Sequence, residues 1–162
     1  KYDEIFRRKI VALDCIQDPG NLGTIIRAAA WFGINSIVCS PDSVDLYNPK
    51  VIQSTMGAIL HVDVHYIELR DFLKVAKEKG VPVFGTFLEG DSIYEHKLAS
   101  AGIILLGNES KGISDDIISF VTDRIYIPAA CKSQPGIDSL NVGMAASVIF
   151  SEFMRRNRTS EE

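Results

Sequence analysis

Three polar stretches, far apart in the chain, carry residue types that suit chemistry on a charged or hydroxylated substrate. The first is N-L-G-T-I-I-R, which begins at Asn21 and ends at Arg27. The second is G-N-E-S-K-G, which places Glu109 between two glycines. The third is S-L-N, which contributes Ser139 and Asn141. A guanidinium can bind a phosphate or stabilise a developing oxyanion, and neighbouring carboxylate, hydroxyl and amide groups can orient it.

Each stretch also has a purely structural interpretation. Arg27 on its own suits a surface arginine, and Gly23, four residues earlier on the same side of a helix, suits a packing glycine. If Arg27 is functional, we expect it to lean back over Gly23 towards the start of the helix, since helical side chains point that way. Glu109 alone suits a solvated loop acid, and Ser139 and Asn141 suit helix caps.

These stretches are positioned by strands and helices that alternate along the chain. Apolar or β-branched runs predict strands at residues 10–16, 36–40, 62–67, 82–87, 101–106 and 124–127. Helical periodicity and capping residues predict helices at 21–32, 50–60, 69–79, 114–121 and 140–156. Such alternation predicts an α/β domain with a mainly parallel sheet and helices on both faces. Ligands of such sheets bind beyond the carboxyl ends of the strands, which favours the loops after residues 16, 87, 106 and 127.

Length and composition limit the possible classes of protein. The 162 residues predict one domain, which we place at 10–156, with a linker remnant at 1–9 and a flexible tail at 157–162. No apolar run approaches the roughly 18 residues of a membrane-spanning helix, so we expect no membrane association. The three scattered cysteines fit reduced thiols in the cytoplasm, and no Cys or His spacing indicates a metal site. The net charge of −4 argues against a surface that coats nucleic acid generally, although it permits an enzyme with a few localised basic residues.

The glycines of the first two stretches do not complete a common nucleotide-binding motif. Gly20 and Gly23 are too few for the G-x-G-x-x-G dinucleotide fingerprint, and no Lys-Ser/Thr pair follows Gly112 as a P-loop requires. Gly107 and Gly112 nevertheless suit close approach of backbone to a ligand.

Taken together and in order, the three stretches resemble the motifs of the SpoU (TrmH-like) RNA ribose 2′-O-methyltransferases of the SPOUT superfamily. The segment N-P-K-V-I-Q-S-T-M-G-A, residues 48–58, also resembles a helix between the first two motifs of that family. The resemblance implies an α/β domain with a deep C-terminal trefoil knot, a feature that periodicity cannot reveal. It further implies S-adenosylmethionine as cofactor without a metal, a tRNA or rRNA substrate, and a homodimer. The acidic chain then suggests that much of the RNA affinity lies in an additional N-terminal RNA-binding domain outside this sequence or in a groove shared by the dimer.

The resemblance also assigns residues. By position, it implies catalytic roles for Asn21, Arg27, Glu109, Ser139 and Asn141. Cofactor contacts are implied for Thr86, Leu106, Gly107, Asn108, Ile127, Pro128 and Leu140. Residues 129–138 form a longer connection than the family usually has, and we expect them to cover the cofactor or to reach towards RNA.

The role of Arg27 in this reading follows from its chemistry. A guanidinium is effectively always protonated, so we favour binding of the target phosphate or ribose oxygen over action as a general base. Two alternatives stay open. One is a knotted methyltransferase acting on a base nitrogen, and the other is a non-catalytic knotted module for RNA binding or dimerisation.

Overall fold

Among the residues that the computed structural model describes, 2–130 and 138–158, six apolar segments pair into one sheet. The strands are β1 Lys9–Leu13, β2 Ser36–Cys39, β3 Asp63–Tyr66, β4 Val83–Ser92, β5 Gly102–Leu106 and β6 Asp123–Tyr126. Their order in the sheet is β3-β2-β1-β5-β4-β6, and every neighbouring pair is parallel. The predicted parallel α/β architecture is therefore confirmed.

Four helices accompany the sheet in the described part of the chain: α1 Pro19–Trp31, α2 Pro49–Thr55, α3 Leu69–Glu78 and α4 Val142–Arg158. Short 3-10 turns lie at Ile5–Arg7, Ala58–Leu60 and Ile118–Phe120. None of the described helices is long and apolar enough to cross a membrane.

The central strands β1 and β5 are buried on both faces because each face packs against helices. Along β1, Val11 and Leu13 belong to a core cluster that also contains buried side chains of α1 and α4. Ile10 and Ala12 point to the opposite face and join a second cluster with buried side chains of α3. This alternation follows from the two-residue period of a strand, and it explains why β1 reads as a continuous apolar run.

Helix α1 lies between two other helices, and glycines permit the close contacts. A Cβ on Gly23 would lie 2.3 Å from the Cβ of Ser54 in α2. A Cβ on Gly143 of α4 would lie 2.9 Å from the Cγ2 of Thr24 in α1. Both α2 and α4 therefore fix the position of α1, which carries the first of the three polar stretches.

Two predicted helices differ from the structure. The segment 114–121 consists of turns and the 3-10 turn Ile118–Phe120, and the Ser114 N–H donates to the Asp14 carboxylate at 2.7 Å. Helix α2 ends at Thr55 because Met56 and Gly57 adopt left-handed conformations, with φ of 51° and 86°. The continuation to residue 60 is only a 3-10 turn.

Two predicted strands also have different limits. β1 stops at Leu13 rather than at residue 16, and β4 continues to Ser92. The register between β4 and β6 shifts between Thr86 and Asp91, so the intervening residues form an irregularity at the end of the sheet. That irregularity lies beside two of the loops where the sequence favoured ligand binding.

Candidate functional site

The Glu109 carboxylate meets the start of α1. Glu109 follows β5, and its Oε1 accepts hydrogen bonds from the backbone N–H of Asp18 at 2.9 Å and of Gln17 at 3.2 Å. The Asn21 side-chain amide lies at 3.4 Å from the same oxygen, which makes it the weakest of the three. A negative charge at this end of a helix is stabilised by the helix dipole. Glu109 is thus more than a solvated loop acid.

Asn141 connects the third polar stretch to the first. Its Nδ2 donates to the Oδ1 of Asn21 at 2.9 Å. Its Oδ1 accepts from the backbone N–H of Gly143 at 2.9 Å and of Met144 at 3.2 Å, which caps α4. Asn141 therefore caps a helix and links two segments that are 120 residues apart. We call Asn21, Glu109 and Asn141 the Asn–Glu–Asn cluster.

The loop after β5 is shaped by its own backbone. Asn108 and Gly112 exchange two backbone hydrogen bonds, each of 3.0 Å. The Asn108 side chain donates to the Cys15 carbonyl at 2.7 Å and accepts from the Ser110 and Lys111 N–H groups, both at 3.0 Å. A Cβ on Gly107 would lie 2.3 Å from Gly112 C, so this glycine is required by close approach within the loop itself. The sequence had suggested a ligand as the reason for this glycine.

Several residues that support the site were missed at the level of sequence. Asp14 is buried at the end of β1 and accepts the Ser114 N–H. Cys15 has a φ of 53° in the turn that follows, where Ser40 Oγ accepts its N–H at 2.7 Å. Burial, followed by the nearby Asp42 carboxylate, raises the pKa of the Cys15 thiol, so it is not activated as a nucleophile. The signal in the sequence that could have identified Asp14 is an acidic residue directly after a buried strand.

The positions predicted to contact a cofactor lie at the carboxyl ends of β5, β4 and β6, which are neighbours in the sheet. Leu106 and Gly107 are buried at the end of β5. Thr86 Oγ1, on β4, donates to the carbonyl of Leu105 on the neighbouring strand β5 at 3.3 Å. The other positions after β6 and before α4 are Ile127 and Pro128, both half-buried, and Leu140, which is exposed.

Two further predictions have different outcomes. Ser139 is exposed beside Leu140, and its predicted role stays a prediction. The lengthened connection 129–138 falls largely on residues 131–137, which lie outside the described residues.

Arg27 lies apart from the Asn–Glu–Asn cluster, six residues further along α1 than Asn21. The expectation that it leans back over Gly23 stays a prediction; Ser54 of α2 packs closely against Gly23. Arg27 is exposed and has no hydrogen bond or ion pair with any described residue. It lines an open groove of about 620 Å³ with Ala30, Trp31, Asn35, Thr55, Met56, Gly57, Ala58 and His61. Its guanidinium is therefore available to a ligand.

Comparisons with known proteins identify the family of this chain. The model of the SpoU rRNA methylase family matches residues 8–151. A 23S rRNA (guanosine(2553)-2′-O)-methyltransferase of Bacillus subtilis is 32% identical over 143 residues, which cover 88% of this chain and 56% of the relative. The chain spans about half the length of the curated relatives that it matches.

Solved structures share the fold. A TrmH-family protein from Porphyromonas gingivalis is 40% identical with a TM-score of 0.85, over 92% of this chain and 60% of the other. An AdoMet-bound rRNA methyltransferase from Sinorhizobium meliloti is 29% identical with a TM-score of 0.82, over 92% of this chain and 56% of the other.

Proposed function

We propose that this chain, which belongs to the SpoU rRNA methylase family, transfers a methyl group from S-adenosylmethionine to a ribose 2′-hydroxyl of RNA. The observation that carries the proposal is the Asn–Glu–Asn cluster. Three stretches that are distant in sequence converge there, through hydrogen bonds of 2.9 Å from Asn141 to Asn21 and from Asp18 to Glu109. A merely structural role for each stretch would not require them to meet at the ligand-binding end of a parallel sheet.

The strand ends beside the cluster fit a cofactor with an apolar ring and a polar tail. Half-buried Ile127 and Pro128 and the exposed Leu140 offer apolar surface, and Leu140 precedes Asn141 directly. Gly107 brings backbone without a side chain to the same edge. We propose that these residues hold S-adenosylmethionine, with Thr86, Leu106 and Asn108 forming the floor and one wall. The cofactor supplies an activated methyl group, and the protein supplies binding and orientation.

Arg27 acts on the RNA in this proposal. Its guanidinium keeps its proton, so it binds a phosphate or the ribose oxygen and stabilises negative charge as that oxygen becomes nucleophilic. Asn21 lies on the same helix and is held by Asn141 and Glu109. The cluster thus sets the position of α1, and α1 sets the position of Arg27 relative to the strand ends. Ser139, exposed next to Leu140, is proposed to orient the ribose or the loop.

Several finer features belong to the same proposal. The domain carries a deep C-terminal trefoil knot, and two copies form a homodimer with the active site near their interface. An N-terminal RNA-binding domain supplies further affinity for an RNA substrate in the cytoplasm. Two relatives that are named 23S rRNA 2′-O-methyltransferases favour rRNA over tRNA as this substrate.

The test is to map 2′-O-methyl groups in cellular rRNA and tRNA after deletion of the gene that encodes this chain. We expect one site to be lost and to return when the gene is restored. A gene carrying Arg27→Ala should fail to restore it. An unchanged 2′-O-methyl map, or loss of a methyl group from a base, would reject the proposal. If calorimetry also detected no S-adenosylmethionine binding, the chain would instead be a non-catalytic module.

A further inference from the structure

We propose that the groove beside the C-terminal half of α1 binds a nucleotide of single-stranded RNA next to the methylated one, with its base stacked on Trp31. We call this the Trp31 groove, and its lining is the set of residues given above with Arg27. The proposal rests on the proposed function, because it names a part of the RNA that the same enzyme would hold.

The exposure of Trp31 is the first observation. Trp31 is the last residue of α1, and 82% of its surface is accessible, whereas Ala28 and Ala29 on the same turn are buried. Met56, across the groove, is 71% exposed and stands in a left-handed conformation after α2. A large indole face beside a thioether offers a flat apolar surface on which a base can stack.

The charge of the groove is the second observation. Acidic residues outnumber basic ones in the chain, 21 to 17, yet none of the residues lining the groove is acidic. Among the described residues that line the groove, Arg27 is the one with a permanent charge. His61 and Asn35 add hydrogen-bonding groups at the rim. The groove therefore complements a phosphate with an attached base better than it complements an acidic peptide.

The position of the groove is the third observation. Arg27 and Trp31 are four residues apart, so they lie on the same side of α1 and about 6 Å apart along its axis. Asn21, in the Asn–Glu–Asn cluster, precedes Arg27 on the same helix. An RNA strand that places its target ribose between the cluster and Arg27 continues into the groove with its neighbouring nucleotide. The volume of about 620 Å³ accommodates a ligand of that size.

Trp31 provides the measurement, because it is the only tryptophan in the sequence. We expect its fluorescence to be quenched, saturably, when the protein binds a six-nucleotide single-stranded RNA such as hexaadenylate. The affinity of labelled hexaadenylate, followed by anisotropy, should fall about 10-fold in Trp31→Ala and much less in Trp31→Phe. Tyr47→Ala is the matched control, since Tyr47 is 74% exposed and lies outside the groove lining.

The outcomes separate this inference from the proposed function. If the protein methylates RNA while Trp31→Ala keeps full RNA affinity and the fluorescence is unchanged, the inference is wrong and the function stands. If hexaadenylate quenches Trp31 but no RNA is methylated, the groove binds a nucleotide of RNA, while the proposed function and the place of that nucleotide next to a methylated one are both wrong. If Trp31→Ala converts a dimer to monomers in sedimentation while RNA affinity is unchanged, the groove is a protein interface and the inference is overturned. Circular dichroism of each variant establishes that it has folded.

Discussion

The change of Glu109 to Gln tests the Asn–Glu–Asn cluster most simply. Gln keeps the shape of the side chain but removes its charge and one acceptor oxygen. The Glu109 carboxylate accepts from two backbone N–H groups, those of Asp18 and Gln17, at the start of α1. Loss of a charge at a helix N-terminus costs about 0.3–1 kcal/mol. Loss of one net hydrogen bond costs about 0.5–1.5 kcal/mol.

The expected decrease in the free energy of unfolding is therefore about 1–2 kcal/mol, towards the lower value because the site is exposed. Urea unfolding at low and high salt measures it, and high salt should reduce the difference because it screens the charge. Glu78→Gln is the matched control, an exposed glutamate of α3 for which we expect almost no change. We also expect Glu109→Gln to lower the rate of methyl transfer about tenfold, since α1 is displaced from the strand ends. The reasoning is refuted if Glu109→Gln matches Glu78→Gln in both stability and rate.

Three other predictions concern individual residues. The Arg27→Lys variant should lose most of its rate of methyl transfer to RNA in single-turnover assays, because a lysine lacks the planar guanidinium fork, and it should keep its affinity for S-adenosylmethionine. A nearly unchanged rate would mean that the positive charge alone suffices. Gly107→Ala should lower the free energy of unfolding by about 2 kcal/mol or more, because its Cβ would lie 2.3 Å from Gly112 C; an unchanged urea midpoint would contradict this. Hydrogen bonds from Arg155 and, less strongly, Arg156 hold the pKa of Glu152 below its ordinary value of 4.5. The stability that ionised Glu152 contributes to the fold is therefore complete above about pH 4.5 and is lost as the pH falls through the lowered pKa. Glu152→Gln should therefore reduce the loss of stability between pH 5 and about pH 3, and an identical pH profile would be evidence against it.

Much of the fold could be predicted because its strands and longer helices carry strong periodic signals. The apolar run at β5 and the apolar face of α4 each identify their element, and alternation of the two types predicts a parallel sheet. The errors have local causes that periodicity does not contain. In the segment 114–121 the Phe120 N–H donates to the Ile117 carbonyl at 3.0 Å, so the chain forms a 3-10 turn there instead of the predicted helix. Met56 adopts a left-handed conformation that few residues other than glycine favour, and α2 ends before it.

The sequence indicated which residues could form the candidate site better than it indicated how they are arranged. Motif order indicated that Asn21, Glu109 and Asn141 belong together, and the structure joins them by hydrogen bonds. The groove that Arg27 lines could not be predicted, since it depends on how α1 packs against α2. Trp31 received no role from the sequence because its exposure depends on how α1 packs against α2 and the sheet.

The most direct test of the central claim follows the methyl group itself. The gene product would be incubated with total RNA and S-adenosylmethionine that carries a deuterated methyl group, and the RNA would then be digested to nucleosides for mass spectrometry. The account predicts that the label appears on the ribose of a single 2′-O-methyl nucleoside, and that Arg27→Ala abolishes it. Label on a base, or RNA without label from a protein that binds S-adenosylmethionine, would contradict the account.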